Sequence, residues 1–168
     1  MALVRDGIVD VAVTLKPART VGLKFDGIAS DTAHLVCQRS HALARRKTVR
    51  WRDLGDYPFI GITRTSSVRR LTDAAFVHGA ISIEPRYEVE QVPSAIALVE
   101  AGLGVTALPS LTFAMFKGHN LAVRPLIEPV MRRNVGFVTR EQRCLPAFAE
   151  ALKRAIGEQI QNVLRAPE

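Results

Sequence analysis

Short apolar runs alternate with segments of helical spacing through most of this chain, and that alternation limits the folds open to it. Ile8, Val9, Val11, Ala12 and Val13 form a nearly unbroken run, interrupted only by Asp10. A strand covered on both faces reads this way, and such strands belong to parallel sheets. Pro58 to Ile62 and Leu103 to Leu108 read as further buried strands. Between them, Val68, Leu71, Ala74 and Ala75 recur at helical spacing and Gly79 ends the helix. A second helix holds Ala95, Ile96, Leu98 and Val99, with Ser94 as its predicted cap and Gly102 at its end. The order argues an α/β fold with a mainly parallel sheet.

The remaining segments fit this frame. Met1 to Asp6, followed by Gly7, reads as the last turn of a helix, so the chain is expected to begin mid-element. Leu23 to Ala29 and Ala33 to Gln38 read as two strands, separated by the polar Ser30, Asp31 and Thr32. Trp51 to Leu54 reads as a helical turn, Pro85 to Val89 as a strand, and Ser110 to Phe116 as a short helix. Leu121 to Leu126 and Asn134 to Thr139 are the last strands, with an exposed turn expected at Arg132 and Arg133. From Pro146, the recurrence of Phe148, Leu152, Ala155 or Ile156, Ile160 and Val163 predicts an amphipathic helix.

A chain of 168 residues suits one domain or two small lobes, and 48% apolar residues argue against disorder. No apolar run approaches the 18 or so residues that span a bilayer. Met1 to Asp6 lacks the pattern of a signal peptide, so a soluble cytoplasmic protein is expected. Cys37 and Cys144 stand singly, which supports neither a disulfide framework nor a zinc knuckle. The formal charge of +7 points to an anionic partner: nucleic acid, an acidic surface or a carboxylate ligand. Arg45, Arg46, Lys47, Arg50 and Arg52 form the densest basic run. It reads either as a solvated loop or as a docking patch for a DNA backbone or another subunit.

Catalytic patterns are missing. There is no G-x-S-x-G, P-loop or G-x-G-x-x-G, and the four histidines lack metal-ligand spacing. No enzyme, cofactor or metal is expected. Gly102 and Gly104 lie between a helix and a strand, the reverse of a dinucleotide loop, and read as a cap and tight turn. Cys37 reads as a small core residue and Cys144 as a bystander. The loop Thr63-Arg64-Thr65-Ser66-Ser67 is more telling. It follows a buried strand and precedes a helix, where N–H groups and partial positive charge favour an anion. Thr65, Ser66 and Ser67 add hydroxyls, and Arg64, Arg69 and Arg70 would raise the local potential. Val92-Pro93-Ser94 repeats the arrangement more weakly, and Thr14 ends the first strand at a similar crevice.

Several segments in order resemble a known family. They are Leu3 to Val13, His41-Ala42-Leu43-Ala44, Asp53-Leu54, Tyr57 to Ile60, Val89-Glu90 and Ala97 to Pro109, of which Leu98 to Pro109 is the most specific part. Together they resemble the effector-binding domain of a LysR-type bacterial transcriptional regulator, truncated at its N-terminus. The resemblance implies a two-lobed fold like type 2 periplasmic binding proteins, joined by crossing strands. Lobe one would comprise residues 1–30 plus 132–168 and be incomplete, and lobe two residues 31–131. It implies a small organic acid or amino-acid-like effector, held by Thr14 and by Thr63, Thr65, Ser66, Ser67 and Val68. It also implies a dimer or tetramer, and DNA contact only through a winged helix that this chain lacks. The family's opening strand-helix-strand is lacking too, and Ala42 stands where the family usually has Pro. A solute-binding protein of the periplasmic type is the alternative.

Overall fold

The computed structural model describes residues 1–116 and 118–165. In chain order the helices are α1 (Ala2–Arg5), α2 (Ser67–His78), α3 (Val92–Glu100) and α4 (Ala147–Arg165). The strands are β1 (Val11–Leu15), β2 (Leu23–Gln38), β3 (Val49–Arg50), β4 (Ile60–Ile62), β5 (Tyr87–Val89), β6 (Thr106–Pro109), β7 (Leu121–Ile127) and β8 (Arg132–Arg140). Short 3-10 helices occupy Ala42–Arg45, Trp51–Asp56 and Ser110–Phe116. The chain divides into two units. Of the described residues, one holds Met1–Asp31 and the segment from Arg132 to Arg165; the other is Thr32–Met131.

In the first unit β8 lies between β1 and the start of β2. β1 and β8 are antiparallel, with Val11 opposite Thr139 and Leu15 opposite Val135. Val4, Leu23 and Val138 form its small core, with Val9, Ala12 and Phe25 packed against them. Gly7, at φ +78°, closes α1: its own N–H reaches Val4 O and that of Ile8 reaches Leu3 O. This is the glycine-ended helix turn read from the sequence. It also explains why the first strand starts late. The Ile8 and Val9 N–H groups are both committed to Leu3 O, so β1 begins at Val11. Nor is β1 covered on both faces, since Val13 is 45% exposed.

Three further expectations for this unit are corrected. Ser30, Asp31 and Thr32 make no turn, because β2 runs unbroken for 16 residues. Arg133 is no turn residue either: it lies in β8 and donates to the fully buried Asp31 at 2.8 Å. A polar triplet stays in the strand because its carboxylate is neutralised from β8. In α4 the inward face is Ala149, Lys153, Ile156, Gly157 and Ile160, while Phe148 is 71% exposed and Leu152 also faces outward. Small residues set that face: the space for a Cβ on Gly157 lies 3.7 Å from the Phe137 ring.

The second unit has two sheets. β2 is flanked by β6 and β7, antiparallel to both, and β3 joins β7 in parallel. β4 and β5 are parallel, joined through α2 as a strand–helix–strand crossover. Phe59 makes a parallel bridge to Val105. The expected mainly parallel sheet is thus only partly present. Parallel pairing of β4 with β5 follows a helical crossover, and the long strand β2 pairs antiparallel to β6 and β7. Trp51, Leu43, Leu54, Phe59 and Leu126 centre one core cluster, in which the Phe76 ring meets those of Trp51 and Phe59 edge-on at 5.7 and 5.6 Å. Ile60, Ile96, Val99 and Leu108 centre the other. Cys37 is fully buried in the first, and burial pushes its thiol up to about 11. Cys144 is exposed.

The caps of this unit differ in detail from the sequence reading. Gly102 ends α3 at φ +78°, its N–H on Val99 O and that of Leu103 on Leu98 O, as predicted for a cap. A Cβ on Gly104 would strike the Pro58 carbonyl, so that position requires glycine. Ser94 does not cap α3. The helix starts earlier, at Val92, because Pro93 fits the first turn. α2 ends at His78 with Gly79 in ordinary helical geometry, and Ala80 takes the left-handed position at φ +51°.

Candidate functional site

The loop between β4 and α2 is built from its two ends. β4 is buried throughout and anchored by β5 on one side, and Thr106 Oγ1 donates to Ile60 O at 2.7 Å. The loop leaves with the Thr63 N–H on Val89 O at 2.9 Å, then closes a turn with the Ser66 N–H on Thr63 O, also at 2.9 Å. Ser66 is the N-cap of α2. Its backbone is extended and its Oγ accepts the Val68 N–H at 3.0 Å. Val68 itself is buried in the second core cluster, which fixes the first turn of the helix. Thr63, Thr65, Ser66, Ser67 and Val68 are therefore gathered on one rigid strand-to-helix turn. Thr65 is exposed, and Thr63, Ser66 and Ser67 are half-buried.

The capping bond uses an acceptor lone pair of Ser66, and its O–H remains able to donate. The helix end adds N–H groups and partial positive charge at the same place. An arrangement of hydroxyls and N–H groups with few acceptor-only atoms suits a carboxylate or phosphate oxygen.

The arginines differ from the sequence reading. Arg69 is 7% exposed and is committed inward: Nε to Asp73 at 2.7 Å and Nη1 to Glu88 at 2.9 Å. Its hydrogen bond to Asp73 raises its pKa above the usual range, with Glu88 adding to the effect. Arg69 therefore clamps α2 to β5 and adds little free positive charge. Arg70 donates Nη1 to Thr65 O at 2.9 Å and braces the loop backbone. Arg64 is exposed. The Arg69–Asp73 pair has helix i,i+4 spacing and was visible in the sequence; the Glu88 partner, 19 residues on, was not.

Thr14 stands in β1 of the first unit, opposite Gly136 of β8, and is half-buried. At the weaker site, α3 is preceded by Gln91, which makes no side-chain cap. Among the described residues no group of three His, Cys, Asp or Glu is placed to hold a metal ion, and no helix is long and apolar enough to cross a membrane.

Solved structures share this α/β fold, which is of the type 2 periplasmic-binding-protein kind. A Corynebacterium glutamicum OxyR C206 mutant matches 97% of the chain at a TM-score of 0.81 and 22% identity, over 52% of its own length. The effector binding domain of QuiR, solved in complex with shikimate, matches 94% at a TM-score of 0.75 and 20% identity, over 76% of its length. Residues 1–161 match the LysR substrate binding domain family, and the chain belongs to that family. The HTH-type transcriptional regulator YbhD of Escherichia coli strain K12 is 30% identical over 141 residues, 84% of this chain and 44% of that protein. The chain thus spans about half the length of the curated relatives it matches. Membership of this family sets aside the alternative of a periplasmic solute-binding protein.

Proposed function

We propose that this chain is the effector-sensing part of a LysR-type transcriptional regulator in the bacterial cytoplasm, and that it takes a small organic acid or amino-acid-like ligand. Thr63, Thr65, Ser66, Ser67 and Val68 receive the anionic end of that ligand at the start of α2. The chain acts by binding and not by catalysis, within a homo-oligomer whose DNA reading is done by a winged helix. One observation carries this reading: a hydroxyl-rich turn is hydrogen-bonded into place at the N-terminus of a 12-residue helix. The shikimate complex of QuiR supports the ligand class, since shikimate is a carboxylate.

The test is a thermal melt of the chain with a panel of small carboxylates and amino acids. A ligand at about 100 times its dissociation constant adds roughly 2.7 kcal/mol to the folded state, enough for a clear shift in Tm. A shift by one chemical class supports the reading. A sharp transition that no member moves, and that esters of the same compounds move equally little, counts against an anionic effector.

A further inference from the structure

The stretch from Arg39 to Arg52 holds six of the chain's 23 Lys and Arg residues and none of its 16 acids. We propose that this stretch is a second, sequence-independent docking surface that lies along the phosphate backbone of duplex DNA. This goes beyond the effector site and uses none of its residues.

The structure gives the stretch an unusual build. Leu43, Ala44, Val49, Trp51 and Leu54 are all buried, so the backbone is pinned to the core on both sides of the exposed residues 45–48. Trp51 is fully buried, with Nε1 donating to Pro129 O at 2.9 Å. Arg124 donates from beneath to Ala44 O through Nε and Nη2, at 3.0 and 2.6 Å. What faces solvent is Arg39, Arg45, Arg46, Lys47 and Arg52, with Arg50 half-buried. Asp53 pairs with Arg46 at 2.6 Å and with Arg50 at 3.5 Å. Arg45, Lys47 and Arg52 make no ion pair with a described residue.

The register supplies a length. Gln38, beside Arg39, lies opposite Leu121 of β7, and Val49, beside Arg50, lies opposite Leu126. The ridge therefore runs along five residue steps of strand, about 17 Å. That is about five base-pair steps of duplex DNA at 3.4 Å each. Guanidinium groups dominate, and they suit phosphate oxygens. An acidic protein partner fits less well, because protein interfaces rely on aromatic anchors that enter pockets. Here Trp51 is spent on the core and the Tyr57 ring packs on His41 at 4.5 Å. The relatives are HTH-type regulators, so duplex DNA is close at hand in the intact protein.

The experiment measures binding of the 168-residue chain to a 20-base-pair duplex of arbitrary sequence across a salt series. It compares the wild type with Arg45→Ala/Lys47→Ala/Arg52→Ala. A control of equal charge, Arg19→Ala/Arg132→Ala/Arg143→Ala, removes three exposed cations from the other unit. Thermal melts of all three check the fold. Loss of three phosphate contacts makes the slope of log affinity against log salt shallower by about 2.7. The control keeps the wild-type slope. Equal losses in both variants reduce the effect to net charge and overturn the proposal, as does an unchanged triple variant. Stronger binding to a polyglutamate peptide than to the duplex also overturns it.

Discussion

Arg133 donates both Nε and Nη2 to a single oxygen of Asp31, at 2.9 and 2.8 Å, and that carboxylate has no exposure to solvent. The pair joins β8 to β2 within the first unit. Removing one member of a buried pair leaves an uncompensated charge and costs about 3–5 kcal/mol. Arg133→Met should therefore lower the urea midpoint strongly. The double variant Asp31→Val/Arg133→Met removes both charges and should recover much of the loss. A double variant no better than the single one would show that the pair does more than neutralise itself.

The reach of such pairs explains what the sequence withheld. Asp31 and Arg133 are 102 residues apart, so the triplet Ser30-Asp31-Thr32 looks like a turn until its partner is known. The outward turn of Phe148 and Leu152 has a similar cause, since the α4 face is chosen by Ala149 and Gly157 against the sheet. What was legible depended on local backbone rules. The helix ends at Gly7 and Gly102 need only a residue that tolerates positive φ. The helix start after Thr63 to Ser67 was legible too, although the sequence did not single out Ser66, whose bond to Val68 spans two residues, as the cap. The charge state around the loop was not, because Glu88 reaches Arg69 from another strand.

Two backbone positions, Ala80 and Gly157, should be improvable. Ala80 sits at φ +51° just past α2, where a Cβ is strained by about 1 kcal/mol. Ala80→Gly should stabilise by a few tenths to about 1 kcal/mol. Gly157 lies inside α4, and a Cβ there would meet only Phe137 at 3.7 Å and Ile28 at 4.0 Å, ordinary contact distances. Gly157→Ala should stabilise by about 0.5–1 kcal/mol through helix propensity. Calorimetry of both checks this, and a loss of stability in Gly157→Ala would mean that α4 packs closer than the open space allows.

His41 should give the fold a mild acid sensitivity. Its Nδ1 accepts the Leu43 N–H at 3.2 Å at the start of Ala42–Arg45, which requires an unprotonated nitrogen. Burial pushes its pKa below the ordinary 6.5. The unfolded ring therefore takes up its proton first. Stability from this group is fully present above pH 6.5, declines as pH falls below that value, and levels off once the folded ring also protonates. His41→Asn keeps a capping acceptor and has no proton to gain. Urea unfolding between pH 7.5 and 5 should show a smaller decline in the variant, and identical slopes would refute the role.

Thr65 and Ser66 should separate ligand binding from folding. Thr65 is exposed and its side chain supports no described bond, so Thr65→Ala should change stability by less than about 0.5 kcal/mol. If its hydroxyl donates to the ligand, affinity falls by one hydrogen bond, about 0.5–1.5 kcal/mol. Ser66→Ala removes the cap of α2 as well, at about 1 kcal/mol of stability. Ser66→Asp restores a capping acceptor while placing a negative charge where the ligand's anion should sit. The expected order of ligand affinity is wild type, then Thr65→Ala, then Ser66→Ala, with Ser66→Asp weakest though nearly as stable as wild type. Calorimetric titration with whichever carboxylate shifts the melt reads that order. Undiminished binding in Ser66→Asp would place the anion elsewhere, because two negative groups at one helix end repel each other strongly.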